Sequence, residues 1–425
     1  MPSGVSRSVT ATQRVTKDSL KDTVTDSSTK EGKMAGTAAQ AEPGKGDTGK
    51  FKAGLEDVVA GTSSICLVDG IEGRLLYRGY DIQDLADNAT FAETAFLLWY
   101  EHLPTRKEYE SYLKLCKEST ELPYQVNMLL RLFPRTATPM EVLRTAISSL
   151  GHYDPDSGNV SPEAVLRKAI RLTNRIGSII TAHERLRNGH EPILPIPGKS
   201  VAYNFLYTLF GKEPEPLFEK IFDVCLILHA DHEWNASTFA ARVTAATMSD
   251  MYSSVTSAIG ALKGPLHGGA NEAVMKILLE IGDPAKAEAW VQNALKNKVK
   301  ISGFGHRVYK TEDPRASVLR KYAEQLGKHT GQSKWYDISR VVEKVMFDHM
   351  QKEGKKIYPN VDFYSASVYH CMGIPLELFT PIFAMSRITG WTAHIMEQWA
   401  NNRLIRPRAE YTGPLRLSYV PIEKR

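Results

Sequence analysis

Three short segments set an ionisable side chain beside residues that interrupt helices: Gly264-Pro265-Leu266-His267-Gly268-Gly269, Gly303-Phe304-Gly305-His306 and Tyr358-Pro359-Asn360-Val361-Asp362. Catalytic groups commonly stand on such loops, held by a rigid scaffold. His267 falls at or just before a helix N-terminus. Unpaired N–H groups and the helix dipole there disfavour an imidazolium. A neutral histidine so placed can donate a hydrogen bond to an oxygen that is gaining charge. The plainer reading is a turn histidine with glycines for geometry. His306 stands among Lys300, Arg307, Lys310 and Arg315. Arginine forks suit carboxylates and lysines suit phosphates, although a solvated basic loop has the same composition. The G-x-G before His306 does not continue to G-x-x-G and has no βαβ setting, which excludes a dinucleotide fingerprint. Asp362 either caps the following helix or, beside Phe363 and Tyr364, acts as a base in a partly apolar setting.

A fourth cluster is His229-Ala230-Asp231-His232, after an apolar stretch. At i and i+3 the two histidines would share a helix face. They read as metal ligands, as donors to a polar ligand, or as satisfied core histidines. The spacing is not H-E-x-x-H and no cysteine is close, which weighs against metal. Arg387, inside a helical stretch over 381–400, and Arg406 and Arg408 near the C-terminus read singly as surface arginines.

The elements that must position these groups are helical. Residues 63–80 alternate apolar and polar around Asp69-Gly70 and Glu72-Gly73, which predicts one short β-hairpin. Helical periods follow from Ile82, over 91–103 with Thr90 as cap and Pro104 as stop, and over 105–117, 125–132, 139–150, 161–186, 200–210 and 215–230. Residues 236–262, rich in Ala, Ser and Thr, predict one long central helix. No series of strands alternates with helices and no internal repeat occurs, so the fold class is all-α.

A hydrophobic fraction of 42% and a charged fraction of 24% are those of a globular protein able to bury a large core without staples. Cys66, Cys116, Cys225 and Cys371 are dispersed, which suits a reducing cytoplasm rather than a disulfide framework. The net charge of +5 comes from interleaved signs and does not mark a nucleic-acid binder. No apolar run is long enough to span a membrane. Residues 1–50 contain no aromatic residue and read as disordered. Three meanings stay open: a flexible tail, a true start at Met34, or a transit peptide that Asp18, Asp22, Asp26 and Glu31 make unusually acidic.

Taken in order, LILHADHEWNAST, GPLHGGANEAV, GFGHRVYKTEDPRA, YPNVDFYSA, AMSRITGWTAHIMEQ and RPRAEYTG resemble the citrate synthase family, from about residue 55 to the C-terminus. The resemblance implies a large helical domain over 51–271 and 379–425, and a small helical domain over 272–378 that closes on the substrates. It implies that Asp362 takes a proton from the methyl group of acetyl-CoA. His267 then donates to the thioester oxygen and His306 polarises the ketone of oxaloacetate. Arg315, Arg387 and His232 are implied to bind oxaloacetate, with Arg406 completing the site of the partner in a homodimer. Lys300, Lys310 and Lys356, with Lys355 behind, are the implied CoA contacts. No metal and no cofactor are implied, since acetyl-CoA is a substrate. The tail lacks the alternating pattern of the N-terminal domain linked to NADH inhibition in larger bacterial members, so no such regulation is expected. Two rivals remain: a 2-methylcitrate synthase using propionyl-CoA, and a metal-dependent hydrolase built on His229, His232 and His267.

Overall fold

The computed structural model describes residues 52–56 and 58–425. The three readings of residues 1–50 lie outside the described residues. The chain divides into two units between Ala60 and Gly61. The described part of the first holds a single 3-10 turn, Ala53–Leu55.

The second unit opens with the expected hairpin. Strands β1 (Cys66–Asp69) and β2 (Arg74–Tyr77) pair antiparallel with Cys66 opposite Tyr77 and Asp69 opposite Arg74, and a two-residue β3 (Tyr80–Asp81) adds to β2. Asp69 shapes the turn, accepting from the N–H groups of Ile71 and Glu72 at 3.0 and 2.9 Å.

Helices make up the rest. They are α1 (Ile82–Asn88), α2 (Phe91–Tyr100), α3 (Arg106–Glu118), α4 (Tyr124–Leu132), α5 (Pro139–Leu150), α6 (Pro162–Arg187), α7 (Val201–Phe210) and α8 (Pro216–His229). Then come α9 (Ala236–Ala245), α10 (Met251–Leu262), α11 (Ala270–Ile281), α12 (Pro284–Lys296), α13 (Pro314–His329), α14 (Lys334–Lys352), α15 (Val361–Cys371) and α16 (Phe379–Ala400). The all-α expectation holds.

Local chemistry sets the boundaries. Asp81 caps α1, and Thr90 with Glu93 forms a reciprocal capping box at α2. α2 ends before Pro104 is reached, because Glu101 turns into the left-handed region at φ 70°. The single long helix expected over 236–262 is two helices. Met248 breaks the chain at φ 63°, and Asp250 caps the second piece by accepting from Ser253 N–H at 3.0 Å. At the end of α9, Trp399 Nε1 donates to the Ala245 carbonyl and Asn402 Nδ2 to that of Ala246, both at 3.1 Å.

α16 is the axis of the unit. It is buried along almost its whole length and packs on α2, α6, α8, α9 and α10. α11 and α13 both pack on α15, and α12 on α14, within the segment expected to form the small domain.

Candidate active site

Two of the three loops are zipped together. Gly305 N–H donates to the carbonyl of Tyr358, and Asn360 N–H to that of Gly303, each at 2.9 Å. Asn360 Nδ2 donates to the Gly305 carbonyl at 3.1 Å. Gly303 sits at φ 84°, and a Cβ there would come within 2.7 Å of Val274 and 2.9 Å of Phe363, so only glycine lets this loop lie between α11 and α15. Asn360, not Asp362, caps α15 by accepting from Asp362 N–H at 3.1 Å. The Asp362 carboxyl is therefore left for other work in the first helical turn.

His306 has a fixed tautomer. Its Nδ1 faces the backbone N–H groups of Val308 at 3.1 Å and Tyr309 at 3.2 Å, which can only donate. Nδ1 is thus the acceptor, and the proton sits on Nε2. Burial and then Arg315 lower its pKa to about 4, so the ring is neutral at pH 7.

His267 is fixed in the opposite sense. Ser237 N–H donates to its Nε2 at 3.2 Å, and Ser237 Oγ lies 2.8 Å from the same atom. The proton therefore sits on Nδ1. Burial, then the Arg387 charge, lowers its pKa to about 4. As expected it lies just before a helix, with Gly269 at the start of α11. Gly268 permits the approach, since a Cβ would meet the Leu262 carbonyl at 2.3 Å and Thr380 at 2.9 Å.

Asp362 goes the other way. Burial raises its pKa to about 6, against the pull of Arg315 and Arg387. The same two arginines act on the histidines: Arg387 on His267, Arg315 on His306, and both on His232. Three loops distant in sequence thus share one electrostatic neighbourhood.

Arg387 is not a surface arginine. It is 1% exposed, donates through Nε to the His229 carbonyl at 2.7 Å, and stacks 4.7 Å from the Phe383 ring centre. Arg315, also buried, pairs with Asp313 through Nε at 3.0 Å and Nη2 at 2.8 Å. Asp313 also accepts from Val361 N–H at 3.1 Å, so one carboxylate locks both the arginine and the start of α15. His232 lies past the end of α8, not on a helix face with His229. Its ring centre is 5.0 Å from that of His306, and its Nε2 is 3.3 Å from the Tyr309 hydroxyl. His229 is buried with Nδ1 2.8 Å from the Cys225 carbonyl. No three His, Cys, Asp or Glu side chains among the described residues are arranged to hold a metal. Lys300, Lys310 and Lys356 are exposed, as is Arg406 in the segment after α16.

A cavity of about 540 Å³ is lined by Glu312, Arg320, Glu343, Phe347 and Tyr358 among others. None of the three proposed catalytic side chains lines it, and Arg320 already bridges Glu312 and Glu343.

Residues 54–408 match the model of the family described as citrate synthase, C-terminal domain. The chain belongs to the citrate synthase family. It is 52% identical over 373 residues to citrate synthase 2 of Bacillus subtilis, covering 88% of this chain and 98% of that one. It is 43% identical over 379 residues to the 2-methylcitrate synthase of Shewanella oneidensis, covering 88% and 98%. The fold matches citrate synthase of Thermoplasma acidophilum, solved as a ternary complex with carboxymethyl coenzyme A and oxaloacetate, at a TM-score of 0.83 and 37% identity over 88% of this chain and all (100%) of that one.

Within the family string, sequence reasoning passed over Ser237, Tyr309 and Asp313. Each touches a residue it did single out. Asp313 had a signal, since an Asp two residues before an Arg at a helix start can cap and pair at once. Ser237 is 30 residues from His267, and only the fold brings them together.

Proposed function

We propose that the protein is a citrate synthase, condensing acetyl-CoA with oxaloacetate and water to give citrate and CoA. The observation that carries this reading is the pair of neutral histidines, each with its free N–H fixed by its partners, in the same charge environment as a carboxyl made more basic by burial.

An ordinary carboxylate, with a pKa near 4, is a weak base for a methyl group alpha to a thioester. Raising Asp362 toward 6 narrows the gap. Asp362 takes the methyl proton while His267 Nδ1–H donates to the thioester oxygen as it becomes enolate-like. The enolate carbon attacks the ketone of oxaloacetate, and His306 Nε2–H donates to the oxygen that becomes the alkoxide. Preorganised donors of this kind are typically worth about 3–4 kcal/mol each. Citryl-CoA forms, and water hydrolyses it.

Arg387, His232 and the Nη1 edge of Arg315 that Asp313 leaves bind the oxaloacetate carboxylates. Arg406 completes the site of the partner in a homodimer. The segment after α16 supports this: Leu415, Leu417 and Tyr419 are 77%, 77% and 80% exposed, apolar surface that a second subunit would cover. Residues 272–378 close as a small lobe on 51–271 and 379–425, shielding citryl-CoA. Lys300, Lys310 and Lys356 meet the CoA phosphates. The reaction uses no metal and no cofactor. The four free cysteines suit the cytoplasm, and no helix among the described residues is long and apolar enough to cross a membrane.

A second reading, 2-methylcitrate synthesis, is favoured by the Shewanella relative and uses the same residues. Comparing kcat/KM for acetyl-CoA and propionyl-CoA by thiol release decides between them. One methylene in an apolar pocket is worth about 1–3 kcal/mol, so the minor substrate turns over as well. A ratio in favour of propionyl-CoA would replace the first reading with the second.

A further inference from the structure

The three proposed catalytic side chains do not explain why His394, on the far part of α16, is fully buried among charged groups. Arg387, Gly390 and His394 fall at i, i+3 and i+7, on one face of α16. All three grip the segment that ends in His232. Arg387 Nε donates to the His229 carbonyl at 2.7 Å, Gly390 N–H to the Ala230 carbonyl at 3.1 Å, and His394 Nε2 lies 3.1 Å from Asp231 Oδ2. Gly390 is required, because a Cβ there would come within 2.3 Å of Asp231 Oδ1 and 2.5 Å of the Ala230 carbonyl.

The proton on His394 has a defined place. Arg242 Nη1, which can only donate, lies 3.2 Å from His394 Nδ1. Nδ1 therefore accepts, and Nε2–H donates to Asp231. Arg242 is held in turn by Glu397 at 2.7 Å and lies 4.2 Å from the Trp234 ring centre. Asp231 Oδ1 has no nitrogen or oxygen partner, so the bonds to Oδ2, from His394 and from Glu233 N–H at 3.3 Å, hold this buried carboxylate together with the buried Cys66 thiol beside it. Removing the His394 donor leaves only a weak thiol and a 3.3 Å backbone contact, so the carboxylate turns, and it immediately precedes His232.

We propose that His394 is a positioning residue for the oxaloacetate subsite. Fixed in one tautomer by Arg242, it holds Asp231 so that His232 and Arg387 keep their places. This rests on the assignment of those two residues to oxaloacetate above.

The test measures the Kd of oxaloacetate by calorimetry, and both KM values, for wild-type, His394→Leu and His394→Gln. His394→Leu removes the donor. It is expected to weaken oxaloacetate about tenfold or more while the KM of acetyl-CoA at saturating oxaloacetate stays within about twofold. His394→Gln keeps an N–H within reach of Asp231 and is expected to recover most of that loss. If His394→Leu does not fold, His394→Asn, whose shorter arm draws the N–H away, takes its place with the same expectation. Unchanged oxaloacetate binding in the folded variant, or equal rises in both KM values, overturns the proposal. A wild-type protein that binds no oxaloacetate overturns the subsite assignment as well, so the two failures are told apart.

Discussion

Ser237 holds His267 by two groups at one atom: its N–H donates to Nε2 at 3.2 Å and its hydroxyl lies 2.8 Å away. The backbone half of this grip survives any substitution at 237 except proline. Ser237→Ala is therefore expected to keep the tautomer and to lower kcat only about three- to tenfold. It also leaves Trp391 Nε1, which donates to Ser237 Oγ at 3.1 Å, without a partner. That loss costs about 1–3 kcal/mol, to be read as a fall in Tm or denaturant midpoint. A loss of kcat as large as that of a His267 substitution would show that the backbone contact does not hold the ring.

Asp362→Ala should separate activity from stability. General bases contribute roughly 10²–10⁴-fold, so kcat should fall at least that far. Burial raises the pKa of this carboxyl, so the folded state binds its proton more tightly than the unfolded state does. Its ionisation therefore opposes folding, increasingly as pH rises through the unfolded and then the folded value. The variant should be no less stable than wild type at pH 7 by chemical denaturation. Retained turnover would remove Asp362 from its role.

The pH dependence follows from the same groups. At limiting oxaloacetate, kcat/KM should rise with pH through an acid limb near 6 as Asp362 ionises. His267 and His306, held near 4, become cationic only below that limb and should steepen the fall there. A flat profile between pH 5 and 7 would contradict the assignment of the base.

A hybrid dimer tests the shared site. If Arg406 acts across the interface, Arg406→Ala and Asp362→Ala are each nearly inactive. A mixed dimer then carries one site with both defects and one intact site. Mixing the two after reversible dissociation should restore roughly a quarter of wild-type activity per protomer. No recovery in verified hybrids would place Arg406 in its own subunit's site, and a fully active Arg406→Ala homodimer would place it in neither.

Gly303→Ala should disrupt both fold and site. The added methyl meets Val274 and Phe363 closer than real contacts allow, at a φ of 84° that alanine resists. A loss of more than about 2 kcal/mol in stability is expected, together with a lower kcat, because the strained loop carries His306.

Helix periodicity and local signals made most of the fold readable, since a cap such as Thr90 acts over three or four residues. The break inside 236–262 was missed because Ala, Ser and Thr satisfy a helical period on either side of Met248. The loops holding His267, His306 and Asp362 stood out through Gly and Pro. Their grouping did not follow from local pattern, because it depends on pairings such as Asn360 with Gly303 and Ser237 with His267. Taken alone, Arg387 reads as a surface residue, since a lone arginine among apolar neighbours gives no sign that the His229 carbonyl awaits it in the core; only the family resemblance placed it at the substrate.

The most direct measurement is CoA and citrate formation by the purified protein with acetyl-CoA, with and without oxaloacetate, before and after EDTA treatment. Condensation predicts CoA and citrate in equal amounts, almost no thiol release without oxaloacetate, and no effect of chelation. Thiol release that proceeds without oxaloacetate, or that stops on chelation and returns with metal, would contradict it.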